Sequence, residues 1–240
     1  MTPPQALVLQ HIACEPPGEY EDVMLERGVQ IRRVELDEGE PLPDRDEFDL
    51  IVAMGGPMSV NDDDELPWVT GEKRFIGEAV RTGTPYWGAC LGVQLLAASL
   101  GARVYAGPAP EVGLMTVSLT DEAAADPVFD GLPAELLTLQ WHGDTFDLPE
   151  GAIRLAGSDA YPNQAIRWGD AAYGVQFHLE VSTALAAEWA AVPAYEAYLD
   201  SVLGPGSLPT LLEEFEGNEK QLRENGRAMF GRWLDIALAR

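Results

Sequence analysis

An α/β fold is predicted for this chain of 240 residues: a mostly parallel central sheet with antiparallel additions and a helical C-terminal extension. Three observations predict it. Over residues 5–102, strand-sized apolar runs alternate with helix-sized amphipathic ones, the pattern of βαβ units and a parallel sheet. Beyond Ala102 the runs become short and closely spaced with turn signals between them, which reads as further strands, some antiparallel. Residues 183–240 then carry helical periodicity. The organisation expected is a domain over residues 1–182 and a helical extension over 183–240 packed on it.

The elements follow in order. "QALVLQHI" (5–12) is an apolar run ahead of the turn-rich "EPPGEY" and reads as the first strand. "EYEDVMLERG" (19–28) fits a helix closed by Gly28. "VQIRRVEL" (29–36) alternates as a strand does, and "FDLIVAMGG" (48–56) is a buried-type strand ending in a glycine pair. "LPWVTGEKRFIGEAVRTG" (66–83) fits a helix, "PYWGA" a strand and "LGVQLLAASLGA" a helix. Strand-like runs follow in "RVYAG", "VGLMTVSL", "LLTLQWH", "AIRLAGS", "NQAIRWG" and "AAYGVQFHLE". Near the C-terminus, Leu222, Met229, Phe230, Trp233 and Ala237 fall on one helical stripe, which suits core packing better than a partner surface.

Composition excludes several function classes. The formal net charge is −25, with 15 Lys and Arg against 40 Asp and Glu. Phosphate binding needs a basic surface, so nucleic acid is not an expected partner. From Thr82 to Ala102 no residue is charged except at the flanking arginines, a run long enough to raise the question of a membrane span. Pro85 and four glycines break that run into a strand and a helix, so no span is expected. The N-terminus lacks a basic region and a long apolar core, so a cytoplasmic location is expected. The two cysteines, Cys14 and Cys90, are too few for a multi-cysteine zinc site.

Cys90 sits in "GACLG", between a predicted strand and a predicted helix. A sharp strand-to-helix turn lifts its central side chain clear of the sheet and brings the residues two before and two after together, so both are glycine. A thiol there faces the helix N-terminus, which favours thiolate, and the Leu91 N–H can meet a developing oxyanion. A buried free cysteine is otherwise usually inert, so the reading needs a base. The chain has three histidines. His178 lies in "YGVQFHLE", read as a strand, where His178 and Glu180 share a face and the carboxylate can orient the imidazole. His11 ends the first strand without an evident partner and is expected to be peripheral. His142, in "LQWHGDTF", is followed by Gly143, which suggests a loop and a place in the site wall. The glycine pair Gly55–Gly56 closes the third strand at the same sheet edge, where free N–H groups can complete an oxyanion hole.

Taken together, "QHIACEPPG", "GGPMSV", "WGACLGVQLLAASLGARV", "WHGDTF" and "GVQFHLE" resemble the class I (triad) glutamine amidotransferases, especially stand-alone proteins similar to the glutaminase domain of GMP synthase. The match follows the family's order over roughly residues 5–182 and is loose beyond. It implies a flavodoxin-like three-layer αβα fold. It also implies a Cys90–His178–Glu180 triad that hydrolyses glutamine to glutamate and ammonia through a γ-glutamyl thioester. Gly56 and Leu91 would supply oxyanion N–H groups, beside Gly55. Gln94 matches the family's substrate-contacting glutamine, and backbone around Trp141, Gly143 and Asp144 would meet the amino-acid end of the substrate. No metal or organic cofactor is implied.

Departures set the alternatives. There is neither a G-x-x-x-x-G-K-[ST] phosphate loop nor an SGGxDS-type loop, so a complete GMP synthase is not expected. Either the ammonia passes to a separate synthetase subunit, or the protein hydrolyses another γ-glutamyl amide by itself. A non-catalytic binding or regulatory module on the same fold is the third reading. In the related PfpI/DJ-1-like proteins histidine follows the cysteine; here that position is Leu91.

Overall fold

The computed structural model describes residues 2–240. The first half runs β1 (Gln5–Gln10), α1 (Glu19–Glu26), β2 (Gln30–Glu35), β3 (Leu50–Ala53), α2 (Pro67–Arg81), β4 (Tyr86–Ala89) and α3 (Leu91–Ser99). Next come β5 (Val104–Leu119), α4 (Asp121–Ala124), β6 (Glu135–Phe146), β7 (Ala152–Gly157), β8 (Ala165–Trp168) and β9 (Ala172–Val175). The chain ends in α5 (Thr183–Trp189), α6 (Pro193–Leu203) and α7 (Leu208–Leu238).

These strands form one nine-stranded sheet in the order β2-β1-β3-β4-β9-β8-β7-β5-β6. From β2 to β9 all neighbours are parallel; from β9 to β6 all are antiparallel. β9 belongs to both halves, so the last strand to be made in sequence sits beside β4 at the centre. The antiparallel additions are as extensive as the parallel part.

Central strands read as continuous apolar runs because both faces are covered. Their alternation sorts residues between two layers. Val8, Leu50, Val52, Trp87 and Tyr173 face α1 and α7, while Leu7, Leu9, Ile51, Ala53 and Tyr86 face α2 and α3. The stripe of α7 is core: Met229, Phe230 and Trp233 are fully buried, and the Trp233 indole N–H donates to the Ala171 carbonyl at 3.0 Å. Burying each of these side chains contributes about 1.5–3 kcal/mol relative to exposure, so α7 is firmly docked. The uncharged run Thr82–Ala102 supplies β4 and α3, buried between the layers from Tyr86 to Ala97. No helix among the described residues is long and apolar enough to cross a membrane.

Three local expectations are corrected. "RVYAG" and "VGLMTVSL" are one strand, β5, whose register with β6 shifts between Ala106 and Glu111. Pro108 and Pro110 lie in that interval and have no N–H to give the ladder. His142–Gly143–Asp144 is strand, not loop, because β6 continues its pairing past the glycine to Phe146. Conversely, β9 stops at Val175; His178 lies beyond it, its backbone paired with Leu139 in an isolated antiparallel bridge.

Candidate active site

Cys90 stands on the turn between β4 and α3 with φ 52° and ψ −106°, the one positive φ among the described non-glycine residues. Such a conformation costs of order 1–3 kcal/mol and persists only where the surroundings impose it. Here they do. The Cys90 N–H donates to the Val175 carbonyl of β9 at 2.8 Å. A methyl group on Gly88 would lie 2.5 Å from the Gly92 carbonyl carbon, and one on Gly92 would lie 2.2 Å from the Ala53 carbonyl oxygen. Only glycine permits that approach of turn, helix and neighbouring strand. The thiol lies 3.9 Å from the Trp141 carbonyl and receives a hydrogen bond from Gln176 Nε2 at 3.5 Å.

His178 and Glu180 are both buried, 1 % and 2 % exposed. One Glu180 oxygen meets His178 Nδ1 at 2.6 Å and the other accepts the Leu179 N–H at 3.0 Å, which fixes the carboxylate. With Nδ1 engaged, Nε2 remains for the thiol. Burial opposes the imidazolium, yet the Glu180 charge and the hydrogen bonds the ring donates to Cys90 and Glu180 outweigh it and raise the His178 pKa well above 6.5. Burial pushes the Cys90 thiol up, and the hydrogen bond and charge of His178 pull it back toward thiolate.

The other two histidines have both ring nitrogens occupied. His11 pairs with Glu72 of α2 at 2.9 Å and with the Gly55 carbonyl at 3.1 Å, the His11 and Glu72 side chains both fully buried. The sequence offers no sign of this partner, since Glu72 is 61 residues away. His142 pairs with Glu111 at 3.1 Å and with the Asp144 carbonyl at 3.1 Å.

Of the residues singled out from sequence, Gly56, Cys90, Gln94, Trp141, His142, Gly143 and Asp144 line one cavity of about 230 Å³, together with Ser59, Asp62 and three residues of α6, Ala194, Tyr195 and Tyr198. Gly55, Leu91, His178 and Glu180 stand behind that lining. The space beside Gly56 is filled by the side chains of His11, Met58 and Leu91. Gln94 donates to Gln176 at 3.1 Å, and Gln176 in turn reaches the thiol. Ser59 bridges the acidic wall, its N–H on Asp62 at 2.8 Å and its hydroxyl on Asp144 at 3.1 Å. Sequence reasoning missed Gln176, Glu15 and Tyr195. Gln176 could have been found, two residues before His178; nothing local marks the other two.

The family model "Glutamine amidotransferase class-I" matches residues 21–188. The chain is 34% identical over 174 residues to a glutamine amidotransferase-like protein, YfeJ, of Salmonella typhimurium, covering 71% of this chain and 73% of that one. It is 31% identical over 169 residues to a subunit of the glutamine-hydrolysing GMP synthase of Sulfolobus acidocaldarius, covering 68% and 85%. The crystal structure of a glutamine amidotransferase from Thermotoga maritima superposes with a TM-score of 0.87 at 32% identity, over 98% of this chain and 100% of that one. The matched stretch carries the Cys90 turn, the His178–Glu180 pair and the sheet between them, and the chain belongs to the class-I glutamine amidotransferase family.

Proposed function

We propose that the protein is a glutaminase that hydrolyses the side-chain amide of glutamine to glutamate and ammonia, with Cys90 as nucleophile and His178, oriented by Glu180, as its acid and base. One observation carries the reading: a strained cysteine at a helix N-terminus stands beside a buried His–Glu pair whose second ring nitrogen is uncommitted.

The thiolate attacks the amide carbon, and the N–H groups of Gly56 and Leu91 receive the oxyanion. The imidazolium gives its proton to the departing nitrogen, ammonia leaves, and a γ-glutamyl thioester remains. Neutral His178 then takes a proton from water as the oxygen attacks the thioester; glutamate departs and thiolate and imidazolium are restored. Only interactions stronger in these transition states than in the ground state accelerate the reaction, which is why donors aimed at the oxyanion matter more than contacts to the amino-acid end. The cavity is smaller than the roughly 300–1,000 Å³ of ordinary ligand pockets, which suits a substrate of amino-acid size.

The likeness to one subunit of a GMP synthase supports delivery of ammonia to a separate synthetase subunit, and a cytoplasmic setting fits such a role. Glutamine turnover, with and without candidate synthetases, tests the reading. Release of glutamate that disappears in Cys90→Ser is expected. Hydrolysis of other γ-glutamyl amides with glutamine left untouched would replace it with the amide-hydrolase reading.

A further inference from the structure

Glu15 is a buried carboxylate, 3 % exposed, on the segment between β1 and α1. No step above uses it. Its Oε1 accepts a hydrogen bond from the Tyr195 hydroxyl of α6. Its Oε2 lies against Gly55: a methyl group there would be 2.0 Å from that oxygen and 3.3 Å from His178 Cε1. Cε1 lies between the two ring nitrogens, so a carboxylate near it favours the imidazolium. The same corner is closed by Trp189 of α5, whose ring stands edge-on to His178 at 4.7 Å and whose N–H donates to the Cys14 carbonyl at 2.7 Å. The charged and titratable groups facing His178 are therefore Glu180, Cys90 and Glu15; those facing Glu15 are His178, Glu180, His11, Tyr195, Cys90 and Cys14.

From this cluster we propose that Glu15, held by Tyr195, is a positioning residue that acts as a second carboxylate for His178 and ties the C-terminal helices to the Cys90–His178 pair. It rests on the assignment of that pair under the proposed function. A buried carboxylate with a single hydrogen bond and no cation of its own is costly to keep, and here it sits where its charge reaches both members of the pair. The extension is then part of the working site: α6 contributes the hydroxyl that favours ionised Glu15, and α5 contributes the indole that packs the ring.

The test is the pH dependence of Cys90 alkylation by iodoacetamide in the full chain, read at peptide level so that Cys14 is counted apart. Glu15→Gln removes a negative charge near both groups, so it is expected to lower the pH at which His178 loses its proton, read from the ring Cε1 proton by NMR, and to move the alkylation midpoint toward acid by about one pH unit. Tyr195→Phe moves it the same way by less, and Glu15→Asp, which keeps the charge, stays near wild type. A role in packing alone predicts the opposite order, because Asp loses volume and Gln does not. An unchanged or alkaline-shifted midpoint in Glu15→Gln with native near-UV circular dichroism overturns the proposal, as does Glu15→Asp shifting as far as Glu15→Gln. Alkylation needs no substrate, so failure of glutamine turnover with these shifts intact would count against the glutaminase reading alone. Where glutamine is turned over, Glu15→Gln lowers kcat and leaves KM near wild type.

Discussion

His178 and His11 lie close together at one edge of the sheet, each buried and each paired with a glutamate, yet only one of them is placed to do chemistry. The difference is in the second nitrogen. His11 spends it on the Gly55 carbonyl, so that pair is a brace for the glycine loop. His178 leaves it for the Cys90 thiol. A buried His–Glu pair is thus not itself a sign of catalysis; an uncommitted nitrogen facing a strained nucleophile is. His142, with both nitrogens taken, falls on the bracing side.

The comparison breaks most sharply at the nucleophile. Cys90→Ser and His178→Ala should each lower kcat/KM for glutamine by roughly 10⁴-fold or more, and together by little beyond the larger single loss, because the two act as a unit. Additive losses in a steady-state assay would separate them. Glu180→Gln should cost roughly 10²-fold or more through lost orientation, and it lowers the His178 pKa, so the alkaline limb of the rate profile, where the imidazolium is lost, moves to lower pH; an unmoved limb would detach Glu180 from the pair.

At His11 the expected loss is of stability. His11→Ala leaves Glu72 buried and unpaired, which costs about 3–5 kcal/mol in urea denaturation, while activity per folded molecule falls far less than in His178→Ala. The sign with pH follows from linkage. The Glu72 charge and hydrogen bond, helped by the Gly55 carbonyl, overcome burial and raise the His11 pKa above 6.5. The pair's contribution is therefore complete below pH 6.5 and declines as pH rises through the folded-state value. His11→Gln should flatten that part of the stability profile; an unchanged slope would show that the pair is not ionic. The smallest effect is expected at His142→Gln, where a slackened Trp141–Asp144 wall should raise KM several-fold with kcat nearly kept, the signature of lost uniform binding.

How much of this could be read from the sequence depends on how local each feature is. The elbow is local: Gly88, Cys90 and Gly92 lie within one short turn, and their spacing states it. The parallel half is local too, since alternation of strand and helix follows from covering both faces of the sheet. The His178–Glu180 pairing is legible for a different reason than strand alternation: the two meet because the carboxylate's second oxygen is fixed by the Leu179 N–H. Glu72 and Tyr195 were not legible, because their partners are 61 and 180 residues away and only the tertiary fold brings them near. Gly143 misled because a glycine signals a turn in isolation, whereas the β5–β6 ladder and the Tyr198 ring packed over it decide otherwise.

The central claim is that the sulfur of Cys90 becomes covalently attached to the γ-carbonyl of glutamine. Acid quenching during steady-state turnover, followed by peptide mass spectrometry, tests it most directly. A γ-glutamyl adduct on the Cys90 peptide, absent from Cys14 and from Cys90→Ser, is the predicted result. Glutamine consumed at wild-type rate by Cys90→Ser, or an adduct on Cys14 with Cys90 unmodified, would contradict it.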